Sequence, residues 1–417
     1  MAGPALRRVP QHRSRRARHR PRQPSAADRV RGTRAHPGRL AGRLAPPRVN
    51  LGITRRVLPA FHERLRDELT FPLSWGRSAT RDFPAWRAEA RAAVGESLLQ
   101  PLTPGPEPFG PVTLDERPAG TYTARTVEFA LSRYGRTRGS LLMPRGSGPF
   151  PAVLVLHDHG GEFGIGREKV VRPRSDPERL APAEAWADRY YDGRFIGDEL
   201  AARGYAVLAV DTLGWGDRGP LVHEDQQALA ANLLQLGTSL AGLAAHEDIR
   251  AAAFLASLPE VDERRVGALG FSMGAYRAWQ LSALSDGVRA AAAVCWMTGL
   301  KELTAPGGNA LRGQSAYFML HPGLHRRLDI PDVASLAAPK PALFHAGGRD
   351  HLFTAAGVES AYAALRAVWE SQGAGDRLTT RVWPDTGHTF TSAMQAEVYA
   401  WLDVRLAGRP AAGVRRT

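Results

Sequence analysis

The 417-residue chain has a single cysteine, Cys295, and only three lysines, Lys169, Lys301 and Lys340. One cysteine excludes an intrachain disulfide and any multi-cysteine zinc centre. It lies in the apolar run AAAVCWM, the setting of a packed thiol rather than a reactive one. Lysine is scarce because arginine replaces it: 52 of the 55 basic residues are Arg, the usage of a GC-rich genome. Nothing approaches the ~20 uninterrupted apolar residues of a membrane helix, so no membrane partner is expected. No internal repeat is visible.

Positive charge is abundant, a formal +14, and it is concentrated. Residues 1–48 hold 14 Arg and one acid, Asp28, which leaves 41 basic and 40 acidic residues for the rest of the chain. The folded part is therefore near neutral. Residues 1–50, rich in Arg, Pro, Ala and Gly without apolar periodicity, are expected to be disordered. They read as a solvated extension, as a stretch translated upstream of the true start, or as a basic arm for nucleic acid. No other feature points to nucleic acid. No apolar segment follows Arg7-Arg8 or Arg15-Arg16, so neither pair reads as an export signal, and the expected location is the cytoplasm.

Residues 51–121 read as a helical N-terminal extension ending in the linker PLTPGPEPFGP, with Pro59, Pro72 and Pro84 breaking the helices into pieces. Strands then alternate with helices through 122–410. TARTVEFAL and RGSLLMP pair as a hairpin. PAVLVLH and YAVLAVD read as buried strands, and RVGALGF, VRAAAAVCWM, PALFHAG and LTTRVW as further strands, separated by helices and by an irregular insertion at 298–337. The expected fold class is α/β: a mostly parallel twisted sheet with helices on both faces. Ligands of such sheets bind at the carboxyl ends of the strands, so chemistry belongs in residues just after a strand.

Gly270-Phe271-Ser272-Met273-Gly274 fits G-x-S-x-G, and its setting makes it specific. A strand leads in and an amphipathic helix leads out, as a nucleophile elbow requires. Gly237-Thr238-Ser239-Leu240 lacks the second glycine and follows a helical segment, so it is rejected. A serine needs a base held in one tautomer by an acid, and on this fold the order is Ser, acid, His. His388 lies in PDTGHTF after the last strand and is the expected base. Asp350 ends the preceding strand and is the expected acid; Asp385, three residues before His388, is the rival. The expected oxyanion donors are the backbone N–H groups of Met273 and His159, the latter in the loop His157-Asp158-His159-Gly160-Gly161. Metal binding by that loop is the weaker reading, because adjacent residues rarely converge on one ion. Trp215, Arg218 and His223 are candidates for the pocket mouth; Trp75, Trp186, Tyr190 and Trp296 are candidates for an apolar pocket wall. Asp211 and Asp217 read as loop-capping residues.

From about 120 to 405 the chain resembles the dienelactone-hydrolase-like and acetyl-xylan-esterase-like branch of the α/β-hydrolases. The likeness rests on VLVLHDHGG, ARGYAVLAVDTLGWGDRG, GFSMGAYRA and DIPDVASLAAPKPALFHAGGRDHLF ahead of DTGHTF. It implies Ser272, Asp350 and His388 as a catalytic triad, and esterase activity without metal or organic cofactor. Two departures stand out. Dienelactone hydrolase itself uses a cysteine where this chain has Ser272, and the loop reads His157-Asp158-His159 in place of His-Gly-x. No segment resembles a carbohydrate-binding module, so polymeric xylan is not the expected substrate. The expected partner is a small-molecule ester. The alternatives are a peptidase or amidase of the same fold, and a non-catalytic binding protein on a hydrolase scaffold.

Overall fold

Apolar runs flanked by amphipathic segments demand a sheet covered on both sides. In the computed structural model, which describes residues 58–306 and 315–409, that sheet has nine strands. They are β1 (Val112–Ala119), β2 (Tyr122–Ser132), β3 (Gly135–Pro144), β4 (Phe150–Leu156), β5 (Ala206–Val210), β6 (Val261–Phe271), β7 (Ala290–Val294), β8 (Ala342–Gly347) and β9 (Leu378–Trp383). The order is β1-β2-β3-β5-β4-β6-β7-β8-β9. β1, β2 and β3 pair antiparallel, and β3 joins β5 antiparallel. From β5 to β9 all pairings are parallel. This is the α/β-hydrolase architecture expected from the sequence.

The helices are α1 (Phe61–Asp67), α2 (Phe83–Leu98), α3 (Leu180–Tyr190), α4 (Ile196–Ala202), α5 (His223–Gln235), α6 (Leu240–Ala256), α7 (Met273–Leu284), α8 (Leu300–Leu303), α9 (Ile330–Ser335), α10 (Ala355–Ser371) and α11 (Ser392–Arg405). Strand alternation sorts side chains into two cores. Ala152, Leu154 and Leu156 of β4 face a core completed by α2, α6, α7 and α10. Val153 and Val155 face the other, completed by α3, α4 and α11. None of the described helices alone is long and apolar enough to cross a membrane.

Several boundaries differ from expectation. The sheet begins at β1, ten residues before the boundary placed at 122. β1 is an edge strand exposed along most of its length and contains Pro118, so it shows no alternation to read. Pro84 does not break a helix; it lies in the first turn of α2, where its missing N–H costs nothing. α6 starts at Leu240 rather than 246, because the Ser239 hydroxyl caps it by accepting from Gly242 N–H. That assigns the rejected Gly237–Leu240 motif a structural role. The expected disordered tail, 1–50, lies outside the described residues, as do 51–57, and 307–314 within the insertion.

Candidate active site

β6 ends at Phe271 and α7 begins at Met273, so the whole turn falls on Ser272. Its φ of 54° and ψ of −124° are strained for a residue with a Cβ. The flanking glycines make the turn possible: a Cβ on Gly270 would overlap the Gly274 carbonyl, and one on Gly274 would overlap the Leu156 carbonyl of β4. The Ser272 N–H donates to Val294 O of β7 at 2.9 Å, fixing the turn to the neighbouring strand. The hydroxyl is left at the carboxyl edge of the sheet.

Two other strand ends deliver its partners. Asp350 follows β8 and His388 follows β9. The two loops are tied together by backbone bonds, Gly348 N–H to Trp383 O at 2.7 Å and Arg349 N–H to Thr386 O at 2.9 Å. His388 Nε2 lies 2.9 Å from Ser272 Oγ, and His388 Nδ1 lies 2.6 Å from Asp350 Oδ2. The Asp350 side chain is 2% exposed and that of His388 13%. Asp350 Oδ1 also accepts from Leu352 N–H at 2.9 Å, so both carboxylate oxygens are engaged. A carboxylate at Nδ1 keeps that nitrogen protonated and leaves Nε2 to accept from the serine. Asp385 does not reach the imidazole; it pairs with Arg349 at 2.6 Å and is 83% exposed.

The loop after β4 is held from behind. His157 is fully buried, with Nδ1 2.7 Å from Asp158 O and Nε2 accepting from Thr212 N–H at 3.0 Å. Both ring nitrogens are occupied, which leaves no lone pair for a metal, and burial pushes its pKa well below the usual range. The Asp158 carboxylate accepts from Tyr191 OH at 2.6 Å and Trp186 Nε1 at 3.1 Å. In a trans peptide the C=O and the following N–H point in opposite directions. The Asp158 carbonyl faces inward to His157, so the His159 N–H faces outward. Met273 opens α7, and its N–H belongs to the unpaired first turn.

His159, Gly160, Ser272, Met273 and His388 line one side of a cavity of about 410 Å³. Trp186, Tyr190, Phe271, Trp296, Met319 and Phe353 make its apolar walls, and Arg189 and His351 also border it. Of the expected wall residues, Trp75 is absent; it packs against Phe83 and Trp86 of the N-terminal extension. The expected mouth residues are also elsewhere. Trp215 is fully buried and donates to His159 O at 2.7 Å, Arg218 pairs with Glu247 at 2.6 Å, and His223 stands edge-on to Phe163. Asp211 accepts from Arg167 N–H and Asp217 N–H, a structural role as expected. Leu352, Phe353 and Met319 were not singled out from sequence. Leu352 and Phe353 come two and three residues after Asp350 at a strand end, which is a usable signal; Met319 has none.

A second apolar compartment of about 260 Å³ shares Trp296 and Met319 with the first and is lined by Tyr276, His321 and His325. Burial lowers the pKa of His321 to about 3, so the imidazole there is neutral. Cys295 sits beside Asp350 and His388. Its Sγ comes within 4.8 Å of the ligand atoms of Asp350 and His388. Burial and the Asp350 charge push the thiol pKa up, keeping it protonated and a poor nucleophile.

Comparison with known proteins gives a consistent picture. A candidate hydrolase of Bacillus subtilis (strain 168), YtaP, is 29% identical over 255 residues, covering 61% of this chain and 78% of that protein. A candidate acetyl xylan esterase from Bacteroides fragilis NCTC 9343 superposes with a TM-score of 0.61 at 19% identity, over 82% of this chain and 87% of that one. A glucuronoyl esterase from Solibacter usitatus does so with a TM-score of 0.57 at 16% identity, over 81% and 99%. The two superpositions speak to the fold. The profile of the dienelactone hydrolase family matches residues 184–402, a span that contains Ser272, Asp350 and His388 and begins after the 157–161 loop. The chain is a member of the dienelactone hydrolase family.

Proposed function

We propose that this protein is a serine hydrolase that cleaves carboxylic esters through an acyl-enzyme intermediate. The carrying observation is the unbroken hydrogen-bonded line from Ser272 through His388 to Asp350 at the wall of an apolar cavity. Family membership supports hydrolysis as the reaction class. His388 Nε2 takes the Ser272 proton as Oγ attacks the ester carbonyl carbon. Asp350 holds the ring and stabilises the imidazolium. The N–H groups of Met273 and His159 stabilise the tetrahedral oxyanion, each donor contributing about 3–4 kcal/mol. His388 then gives the proton to the departing alcohol. A water, deprotonated by the same nitrogen, attacks the acyl carbon and releases the acid and free Ser272.

Two measurements test this reading. The protein is expected to hydrolyse p-nitrophenyl acetate, leave p-nitroacetanilide intact, and be labelled at Ser272 by a fluorophosphonate. Faster cleavage of the anilide would replace esterase with amidase; neither turnover nor labelling would remove the hydrolase reading. Trp296 and Met319 divide the two compartments, so acyl length should be set there. Trp296→Ala is expected to raise the octanoyl-to-acetyl ratio of kcat/KM by about tenfold, the lower end of what one newly accommodated methylene contributes. An unchanged ratio would place acyl selection elsewhere.

A further inference from the structure

Lys169 is one of three lysines in the chain and is 0% exposed. A buried ammonium is costly unless its protons are used. Its ion-pair partner, Asp158 Oδ1, is 4.0 Å away, beyond hydrogen-bond distance. Nζ instead donates to His159 O at 2.8 Å and reaches Asp158 O at 3.5 Å. It stands 4.7 Å from the centre of the Trp186 ring. Trp215 Nε1 supplies a second donor to His159 O.

The short turn that carries it, Arg167–Lys169, is anchored to the sheet. Arg167 N–H donates to Asp211 Oδ1 at 2.7 Å, directly after β5, and the Arg167 guanidinium pairs with Asp211 and Asp217. Glu168 pairs with Arg179 at 2.9 Å and accepts from Gly166 N–H. The ammonium is thus held at a fixed point behind the 157–161 loop. Two successive carbonyls, of Asp158 and His159, turn toward it. By peptide planarity the two following N–H groups, of His159 and Gly160, turn the other way. Neither N–H has an acceptor among the described residues, and both residues border the cavity that holds Ser272. Successive N–H groups aimed one way form an anion-binding nest.

We propose that Lys169 is a positioning residue for the oxyanion site: it gathers the Asp158 and His159 carbonyls so that the N–H groups of His159 and Gly160 converge beside Ser272. The proposal rests on the hydrolase reading above and adds Gly160 N–H as a donor. Without the ammonium, nothing but Trp215 holds the His159 carbonyl. The His159–Gly160 peptide plane can then rotate, while His157 Nδ1 at 2.7 Å still holds the Asp158 carbonyl, and the Gly160 donor moves off the position the oxyanion takes.

The test uses the full chain with p-nitrophenyl acetate as substrate and a trifluoromethyl ketone as transition-state mimic. The ketone adds Ser272 Oγ to its carbonyl carbon and places an oxyanion in the nest; the matching trifluoromethyl alcohol fills the cavity without one. Lys169→Met is expected to lower kcat about 10²-fold while KM stays within about threefold. Ketone affinity should fall by a similar factor and alcohol affinity should hold. Lys169→Gln keeps an N–H donor for His159 O and should recover part of the loss in both. Wild-type kcat in Lys169→Met, or equal losses for ketone and alcohol, would overturn the proposal. Should Lys169→Met fail to fold, the ketone-to-alcohol affinity ratio of Lys169→Gln decides: a lowered ratio supports the role and an unchanged one refutes it. A wild-type protein inactive on esters would sink the hydrolase reading and this proposal together; an active wild type matched by Lys169→Met sinks this one alone.

Discussion

Ser272→Ala is expected to cut ester turnover by about 10⁴–10⁶-fold with the melting temperature essentially unchanged. The substitution removes one oxygen atom and with it the only nucleophile within reach of His388 Nε2 among the described residues. Alanine has a Cβ like serine, so the strain at φ 54° is neither added nor relieved. The Val294 bond uses the backbone N–H and survives. A trace of activity should persist from the oxyanion donors acting on water. Turnover within a hundredfold of wild type, in protein shown by mass to carry the substitution, would mean that another group attacks the ester. Cys295 is a poor substitute, being buried and protonated.

Asp350→Asn carries the next largest effect, about 10⁴-fold in kcat. The Leu352 N–H, which donates to Asp350 Oδ1 at 2.9 Å, would hold the asparagine oxygen and turn its NH2 toward His388 Nδ1. Nδ1 must then accept, the ring proton moves to Nε2, Nε2 can no longer take the serine proton, and the imidazolium loses its counter-charge. The control is Asp385→Asn, which breaks only an exposed pair with Arg349 and should leave kcat within about threefold of wild type, as expected for a surface ion pair. The reverse outcome would assign the acid to Asp385. Circular dichroism on both variants separates lost chemistry from lost fold.

The parts of the molecule that could be read from sequence are those where one rule governs. β4 and β5 are buried on both faces and appear as apolar runs. The elbow needs glycine twice within five residues, for steric reasons that leave almost no alternative, and α7 begins where the motif says it must. His388 and Asp350 follow from strand order. Other features depend on pairings that spacing does not encode. β1 is polar and exposed because it lies at an edge, so it has no hydrophobic signature. Trp215 and Arg218 point inward because His159 O and Glu247 are there to receive them, which only the folded chain decides. Lys169 stands out in the sequence only as a rare residue; that its amine meets two carbonyls ten and eleven residues upstream is decided by the folded chain.

Because Ser272 and His388, the proposed nucleophile and base, are 116 residues apart and follow different strands, the proposed catalysis is a property of the completed sheet. As the ribosome extends the chain, β6 and α7 emerge with Ser272 long before β9 and the turn bearing the imidazole have been made. Until that last unit docks beside β8, the hydroxyl has no proton acceptor and behaves as an ordinary alcohol. An unfinished or partly folded copy therefore cannot attack the esters around it. Onset of turnover during refolding would report arrival of the C-terminal strand, rather than collapse of the core beneath it.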